Sequence, residues 1–145
     1  CMSEHYPNAA RRHLDDSKVL LDAQRWEGSV YLAGYVIECS LKAMILAPLV
    51  SPPPGQSWPG DGHDLPSLAS LLDRMAASRK SGFKRNISTK MVVAIKSALA
   101  GAPSWHPRMR YESSYFATEM VAKPWWGIAK RAFGGLAKSF NTGGV

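Results

Sequence analysis

The stretch Gly34-Tyr-Val-Ile-Glu-Cys-Ser-Leu41, followed by Lys42, decides the fold of this chain. Glu38 and Lys42 are the only charged residues between Gly28 and Pro48, and their spacing of four places both side chains on one side of a helix. Tyr31 and Tyr35 extend the same stripe. The neighbouring face carries apolar residues at helical spacing, namely Val30, Ala33, Ile37, Leu41 and Met44. This pattern predicts the packing face of a helix in a bundle, with a polar stripe that lines a groove or a seam.

Helical periodicity also precedes this stretch. A first helix is predicted from an N-cap at Asn8 to about Trp26, and Gly28 is predicted to form the turn after it. Its inward stripe consists of Ala10, Leu14, Ser17 and Leu21. The second helix is predicted over 29–46, because Pro48 disfavours helical geometry in the residue before it.

Three later segments show the same kind of pattern. Asp64 is predicted to cap a third helix that fades near 81–82, and Ser88 is predicted to cap a fourth that ends at Gly101. Their inward residues are Leu68, Leu71, Leu72 and Met75 in the third helix, and Met91, Val92, Ile95 and Leu99 in the fourth. Residues 105–111 are predicted as a loop. Helix is predicted again from about Ser113, with a kink or break at Pro124.

No segment shows sustained strand alternation, so the sequence predicts an all-α fold, an antiparallel bundle of four or five helices. With 145 residues the chain suits one domain. We assign that domain to residues 8–140, with a long Pro/Gly-rich loop at 47–63 and flexible termini at 1–7 and 141–145.

The composition, 46% apolar and 20% charged, is that of a globular protein. Glu38, Lys42 and Pro48 interrupt the most apolar segment, so we expect no membrane span. The polar opening of the chain lacks a basic-then-apolar leader, so we expect residence in the cytoplasm. The histidines, which are His5, His13, His63 and His106, have no second ligand at helical spacing, so we expect no metal site.

Charge is divided unevenly along the chain. Residues 1–73 carry five Lys and Arg against nine Asp and Glu, whereas residues 74–145 carry thirteen against two. The two parts have net charges of −4 and +11, which together give the overall +7. This asymmetry indicates a basic face for a nucleic acid or an acidic partner, although a well-solvated surface would look the same.

Four segments together resemble one family. The run from Gly28 to Lys42 resembles the second helix of prokaryotic HEPN domains (higher eukaryotes and prokaryotes nucleotide-binding). In the order of that family, the chain also has Ala-Arg-Arg-His-Leu-Asp-Asp at 10–16, Gly-His-Asp-Leu at 62–65 and Trp-His-Pro-Arg-Met-Arg-Tyr at 105–111. The resemblance covers roughly residues 8–138.

The resemblance implies a role beside a minimal nucleotidyltransferase, in a toxin–antitoxin or phage-defence system, and a homodimer or heteromer formed through the helix that carries Glu38. Many HEPN proteins are RNases in which an arginine precedes a histidine by four to six intervening residues. No histidine of this chain has an arginine at that distance before it. The chain also lacks a Gly-rich phosphate loop, so we expect no cofactor and no nucleotide transfer of its own. A binding module is the preferred interpretation.

The candidate ligand or partner groove consists of Tyr31, Tyr35, Glu38, Lys42, His106, Arg108, Arg110 and Tyr111. The resemblance links the loop of Arg108 and Arg110 to the second helix, so either arginine is a candidate partner for a buried Glu38. Arginines and aromatic residues are suited to phosphates and bases. A structural network that fixes the bundle or a dimer seam explains the same residues.

Candidate phosphate contacts outside the groove are Arg79, Lys80, Lys84 and Arg85. His63 and Asp64 diverge at a helix start, and Asp64 has a capping role, so we assign no catalytic residue. Two alternatives remain open: a divergent HEPN RNase, using for example His106 with Arg110, and an orphan structural dimer that binds nucleic acid weakly.

Overall fold

The computed structural model describes residues 6–46, 58, 61–78, 88–102, 104–111 and 117–143. These described residues form five α-helices and one short 3₁₀ helix. The α-helices are α1 (Tyr6–Asp22), α2 (Trp26–Leu46), α3 (Leu65–Ser78), α4 (Thr89–Ala100) and α5 (Glu119–Gly143), and the 3₁₀ helix is Pro107–Tyr111. The described residues contain no strand, which confirms the predicted all-α bundle.

Helix α2 is the centre of the bundle, with α1, α3 and α5 packed against it. Between Ser29 and Ile45 only Tyr31, Leu32 and Tyr35 are partly exposed. Helix α2, in which the sequence predicts no membrane span, is long and apolar enough to cross a membrane by length and composition alone. However, 78% of its most apolar window is buried inside the bundle, as in the core helix of a soluble protein.

The predicted boundary between the first two helices is wrong in its details. Helix α1 begins at Tyr6, inside the segment that we assigned to a flexible terminus, and Asn8 is therefore not its cap. The turn falls at Ala23–Arg25, where Gln24 has a positive φ of 62°. The amide of Arg25 donates to the carbonyl of Leu20 at 2.8 Å and closes the end of α1.

Gly28 therefore lies inside α2, where its role is close packing rather than turning. A Cβ at this position would lie 3.2 Å from Cδ1 of Leu20, so the missing side chain lets α1 approach. Nearby, Ser17 Oγ donates to the carbonyl of Ser29, and Ser29 Oγ donates to the carbonyl of Ser17, both at 2.9 Å. These reciprocal bonds explain why Ser17 belongs to the inward stripe of α1.

The caps of α3 and α4 are confirmed. Asp64 Oδ1 accepts from the amide of Ser67 at 3.5 Å, and its Oδ2 accepts from the Ser67 hydroxyl at 2.7 Å. Ser88 Oγ accepts from the amide of Met91, and Gly101 ends α4. The inward residues of both helices are buried or pack against the core.

Of the predicted kink or break at Pro124, the break is wrong, because helix α5 continues through Pro124 to Gly143. Pro124 is exposed and lies six residues into the helix, so its missing N–H costs only the bond to the carbonyl of Met120. The buried residues that follow hold α5 against the bundle; they are Trp125, Ile128, Ala129, Ala132 and Leu136. The candidate phosphate contacts Arg79, Lys80, Lys84 and Arg85, and most of the 47–63 loop, lie outside the described residues.

Candidate functional site

The charged pair predicted on α2 forms in the structure. Lys42 Nζ donates to Glu38 Oε2 at 3.3 Å, and the two side chains are 7% and 0% exposed. The ammonium group also lies over the aromatic rings of Trp58 and Tyr6, at 5.1 and 5.9 Å from their centroids. A lysine can be buried here because a carboxylate and two π faces replace its hydration.

The second partner of Glu38 is a histidine rather than an arginine. His63 Nδ1 lies 2.7 Å from Glu38 Oε1, in the short segment that enters α3. Because an ionised carboxylate only accepts hydrogen bonds, Nδ1 carries the proton and donates. His63 Nε2 then presents a lone pair, and it has no hydrogen-bond partner among the described residues. Arg108 is exposed and is not among the described partners of Glu38, which are Lys42 and His63, so the expected pairing with Arg108 is wrong. The expected pairing with Arg110 concerns a side chain outside the described residues and stays a prediction.

The turn before α3 determines the direction of His63. Gly62 has a φ of +82°, a conformation that side chains disfavour, and it lies buried beside Lys42 and Trp58. Asp61 Oδ1 accepts from the amide of His63 at 2.9 Å. Asp64, the residue after His63, caps α3. The backbone is therefore held in place on both sides of His63.

His106 forms a second carboxylate–histidine pair beside the first. Its Nε2 lies 2.6 Å from Asp61 Oδ2, while its Nδ1 accepts from the amide of Arg108 at 3.1 Å. Nδ1 is therefore unprotonated, and Nε2 donates to Asp61. The rings of His63 and His106 meet edge to face, with centroids 5.7 Å apart. Both side chains are about one-third exposed, so the paired imidazoles form part of the surface. We call this surface the His63–His106 face.

Hydrogen bonding lowers the pKa of Asp61 in this network. The bond from His106, with help from the amide of His63, lowers the pKa of Asp61 from 3.8 to about 2. Asp61 therefore stays ionised throughout the neutral and mildly acidic range.

On α1, burial lowers the pKa of His13, whose ring lies 5.7 Å from that of Tyr35.

The two tyrosines of α2 belong to an aromatic cluster rather than to an open groove. Their hydroxyls are 3.4 Å apart, and the ring of Tyr35 meets the ring of Trp105 edge to face. Trp105 is buried over Gly34, and its Nε1 donates to the carbonyl of Tyr31 at 3.2 Å. This cluster anchors the 3₁₀ segment on α2 and so brings His106 to His63.

The structure brings together most of the predicted groove, but not all of it. Glu38, Lys42 and His106 belong to the polar network, and Tyr31 and Tyr35 to the aromatic cluster. Arg108 contributes its backbone amide and has an exposed side chain, and Tyr111 is 80% exposed, so it does not close the core. The side chain of Arg110 is outside the described part of the structure.

Sequence reasoning missed Asp61 and Trp58, and it gave His63 no role in the site. The signal that could have found them is Asp61-Gly-His-Asp64 itself, in which a glycine between two polar residues indicates a turn that aims side chains.

Among the described residues no group of three His, Cys, Asp or Glu could hold a metal ion. No protein-family model, no curated protein and no solved structure matches this chain.

Proposed function

We propose that this chain is a HEPN-type binding module that holds a phosphate of RNA or a nucleotide on the His63–His106 face. In this proposal it acts in the cytoplasm as a homodimer, beside a nucleotidyltransferase partner in a toxin–antitoxin or defence system. The observation that carries the proposal is His63, whose partly exposed ring is held by the carboxylate of Glu38 and has an open Nε2, next to the ring of His106. The assignment to HEPN and the partner rest on the four sequence segments given above.

The face suits an anion. Glu38 is balanced by Lys42 and Asp61 is ionised, so the positive charge that this face offers an anion is the exposed guanidinium of Arg108. The exposed guanidinium of Arg108, two residues after His106, adds a fork of donors that matches phosphate oxygens. Because a carboxylate already holds each imidazole in place, little side-chain conformational entropy is lost when a ligand binds.

The hydrogen-bond pattern favours binding over cleavage. RNA cleavage without a metal needs one group to take the proton of the attacking hydroxyl and another to protonate the leaving oxygen. Both ring nitrogens of His106 are occupied, by Asp61 and by the amide of Arg108. His63 Nε2 is then the one open imidazole nitrogen of the pair, which is one group too few within a single protomer.

The proposal is tested by fluorescence anisotropy with a labelled single-stranded RNA at low salt. We expect His63→Ala and Arg108→Ala to weaken binding about tenfold or more each, the loss of one charge-assisted hydrogen bond. Arg11→Ala is the matched control, because Arg11 is an exposed arginine of α1 paired with Asp15. Equal affinities for Arg108→Ala and Arg11→Ala would contradict the proposed face.

A divergent RNase is the second candidate, and one observation favours it. His63 is oriented by a fully buried carboxylate and has an open Nε2, which is the arrangement of a general base. If a dimer brought two such histidines to one RNA strand, acid and base would both be present. Expression of the chain in cells distinguishes the candidates: intact RNA and normal growth support the binding module. RNA cleavage that is abolished by His63→Ala in a folded protein would instead establish the nuclease.

A further inference from the structure

The open ring nitrogen of His63 is a nucleophile as well as a hydrogen-bond acceptor. The other nitrogen, Nδ1, donates to Glu38 Oε1 at 2.7 Å, so the lone pair of Nε2 is unshared among the described residues. The Glu38 side chain is 0% exposed and that of His63 is 32% exposed, so the open part of the ring lies away from the carboxylate. A carboxylate at one nitrogen makes the other more basic, and histidines can form covalent intermediates. Nε2 is therefore open to an electrophile from solution.

Glu38 is placed to stabilise the charge that an attack by Nε2 creates. When the lone pair of Nε2 forms a bond, the ring becomes a cation that keeps its proton on Nδ1. That proton points at a fully buried carboxylate, and opposite charges attract more strongly where water is excluded. Lys42 Nζ lies 3.3 Å from the other carboxylate oxygen and balances it before the attack. The stabilising charge is thus in position before the electrophile arrives.

A phosphoryl group is the electrophile that suits these surroundings. On Nε2 its negative oxygens would offset the positive charge of the ring. The exposed guanidinium of Arg108, two residues after His106, offers a fork of donors that matches phosphoryl oxygens. An acyl or alkyl group has no such oxygens for Arg108 to bind. The face therefore favours a phosphoryl group over other carbon-based electrophiles.

His106 provides a reference within the same molecule. Its side chain is 29% exposed, close to the 32% of His63, and the two ring centroids are 5.7 Å apart. Both of its ring nitrogens are engaged, Nε2 with Asp61 and Nδ1 with the amide of Arg108. His106 must therefore break a hydrogen bond before it can attack. Two neighbouring imidazoles of similar exposure thus differ in whether a lone pair is open.

We propose that His63 is a phosphoryl acceptor, modified at Nε2 by a donor of the phosphoramidate class, in which phosphorus is bound to a protonated nitrogen. Nε2 attacks the phosphorus, and the N–P bond of the protein forms as the N–P bond of the donor breaks. The donor nitrogen leaves with the bonding electrons as a neutral amine. The proton on Nδ1 stays in its hydrogen bond to Glu38, so the step needs no further base.

The modification has a consequence for the His63–His106 face. A phosphoryl dianion on His63 would occupy the position proposed for a phosphate of RNA and would repel the strand. Modified protein should therefore bind the labelled RNA more weakly than unmodified protein. This consequence rests on the function proposed for the face, whereas the modification itself does not.

Incubation of the full chain with potassium phosphoramidate tests the proposal. Intact mass spectrometry follows the addition of phosphoryl groups, and tandem mass spectrometry of peptides locates them. We expect His63 to be modified about tenfold or more faster than His106, the equivalent of one charge-assisted hydrogen bond. Phosphorus NMR should show a signal that acid abolishes and that His63→Ala lacks. Equal rates at His63 and His106, or no modification of His63, would overturn the proposal.

Two variants test the parts of the site. Glu38→Gln keeps the size and the acceptor oxygen of the side chain but removes its charge, so we expect modification of His63 to slow about tenfold or more while the rate at His106 is unchanged. Arg108→Ala should slow modification of His63, and Arg11→Ala should not. An unchanged rate at His63 in folded Glu38→Gln would show that the carboxylate does not activate the ring. If this variant does not fold, the comparison of the two histidines in the unchanged protein still decides.

The proposed function and this proposal fail separately. The reaction with phosphoramidate contains no RNA, so loss of RNA binding does not affect its outcome. Modification of His63 in a protein that does not bind RNA would leave the phosphoryl acceptor in place and contradict the proposed function. RNA binding by a protein that phosphoramidate does not modify at His63 would overturn the phosphoryl acceptor alone.

Discussion

Glu38 is fully buried between Lys42 and His63. Its carboxylate is the counter-charge of the Lys42 ammonium group and the hydrogen-bond partner of the His63 ring. Glu38→Ala would leave a nearly buried ammonium group without its counter-charge and release His63 from its orientation. We expect the free energy of unfolding to fall by about 3–5 kcal/mol, the usual loss when one member of a buried ion pair is removed. Urea unfolding measures this directly.

Two further variants test whether the loss of stability arises because the ion pair is buried or because any ion pair has been removed. Lys18 and Asp22 form an exposed pair with the same spacing, and Asp22→Ala should change stability by less than about 1 kcal/mol. The double variant Glu38→Leu with Lys42→Met removes both charges and should recover most of the lost stability. If the double variant is as unstable as Glu38→Ala, the cost comes from the packing of the site and not from an uncompensated charge.

Asp61 gives the site a defined acid sensitivity. Its pKa falls from 3.8 to about 2 on folding, so the folded protein binds this proton less readily than the unfolded chain. The contribution of Asp61 to stability is therefore complete above about pH 4 and is lost as the pH falls toward 2. In Asp61→Asn the decrease in urea midpoint between pH 4.5 and pH 2.5 should be smaller than in the unchanged protein. His106→Ala removes the hydrogen bond that contributes most and should reduce the decrease in the same way; if it does not, His106 is not the cause of the shift.

At the scale of secondary-structure elements, sequence predicted those features whose cause is local. Asp64 and Ser88 cap their helices as expected, because a cap depends on one side chain and an amide two or three residues later. The α1–α2 boundary and the uninterrupted α5 were missed, because tertiary packing outweighs local preference there. Gly28 is accommodated inside α2 by contact with Leu20, and Pro124 is tolerated because buried residues hold the turns after it.

The packing of Trp105 on α2 gives a prediction at this scale. A Cβ on Gly34 would overlap the indole ring of Trp105, which is buried there. Gly34→Ala should therefore destabilise the protein by about 1–3 kcal/mol, the usual cost of overpacking, although alanine is the better helix former. At Gly127, where a Cβ meets nothing within 4 Å, the same substitution should stabilise by about 0.5–1 kcal/mol. Opposite signs in urea unfolding would verify the contact, and equal signs would contradict it.

At the scale of the whole molecule, the site joins segments that are distant in the sequence. Glu38, Asp61, His63 and His106 come from α2, from the turn before α3 and from the segment before the 3₁₀ helix. The HEPN resemblance grouped these three segments in the sequence. It did not predict which of their side chains pair. Helical periodicity determines which face of an element is buried, whereas the partner of a polar group depends on how loops cross that face.

Whole-molecule charge leads to the last prediction, because residues 74–145 carry a net +11 and could attract RNA without any specific site. The two kinds of binding differ in their dependence on salt, since each neutralised phosphate of a single strand contributes a slope of about −0.7 to log K against log salt concentration. A face built around His63 and Arg108 contacts two or three phosphates, so we expect a slope of about −2 or shallower. The slope should become still shallower in Arg108→Ala. A slope of about −4 or steeper that Arg108→Ala leaves unchanged would indicate loose contact across the basic part of the chain. That outcome would favour an orphan structural dimer with weak nucleic-acid binding over a module with a defined phosphate site.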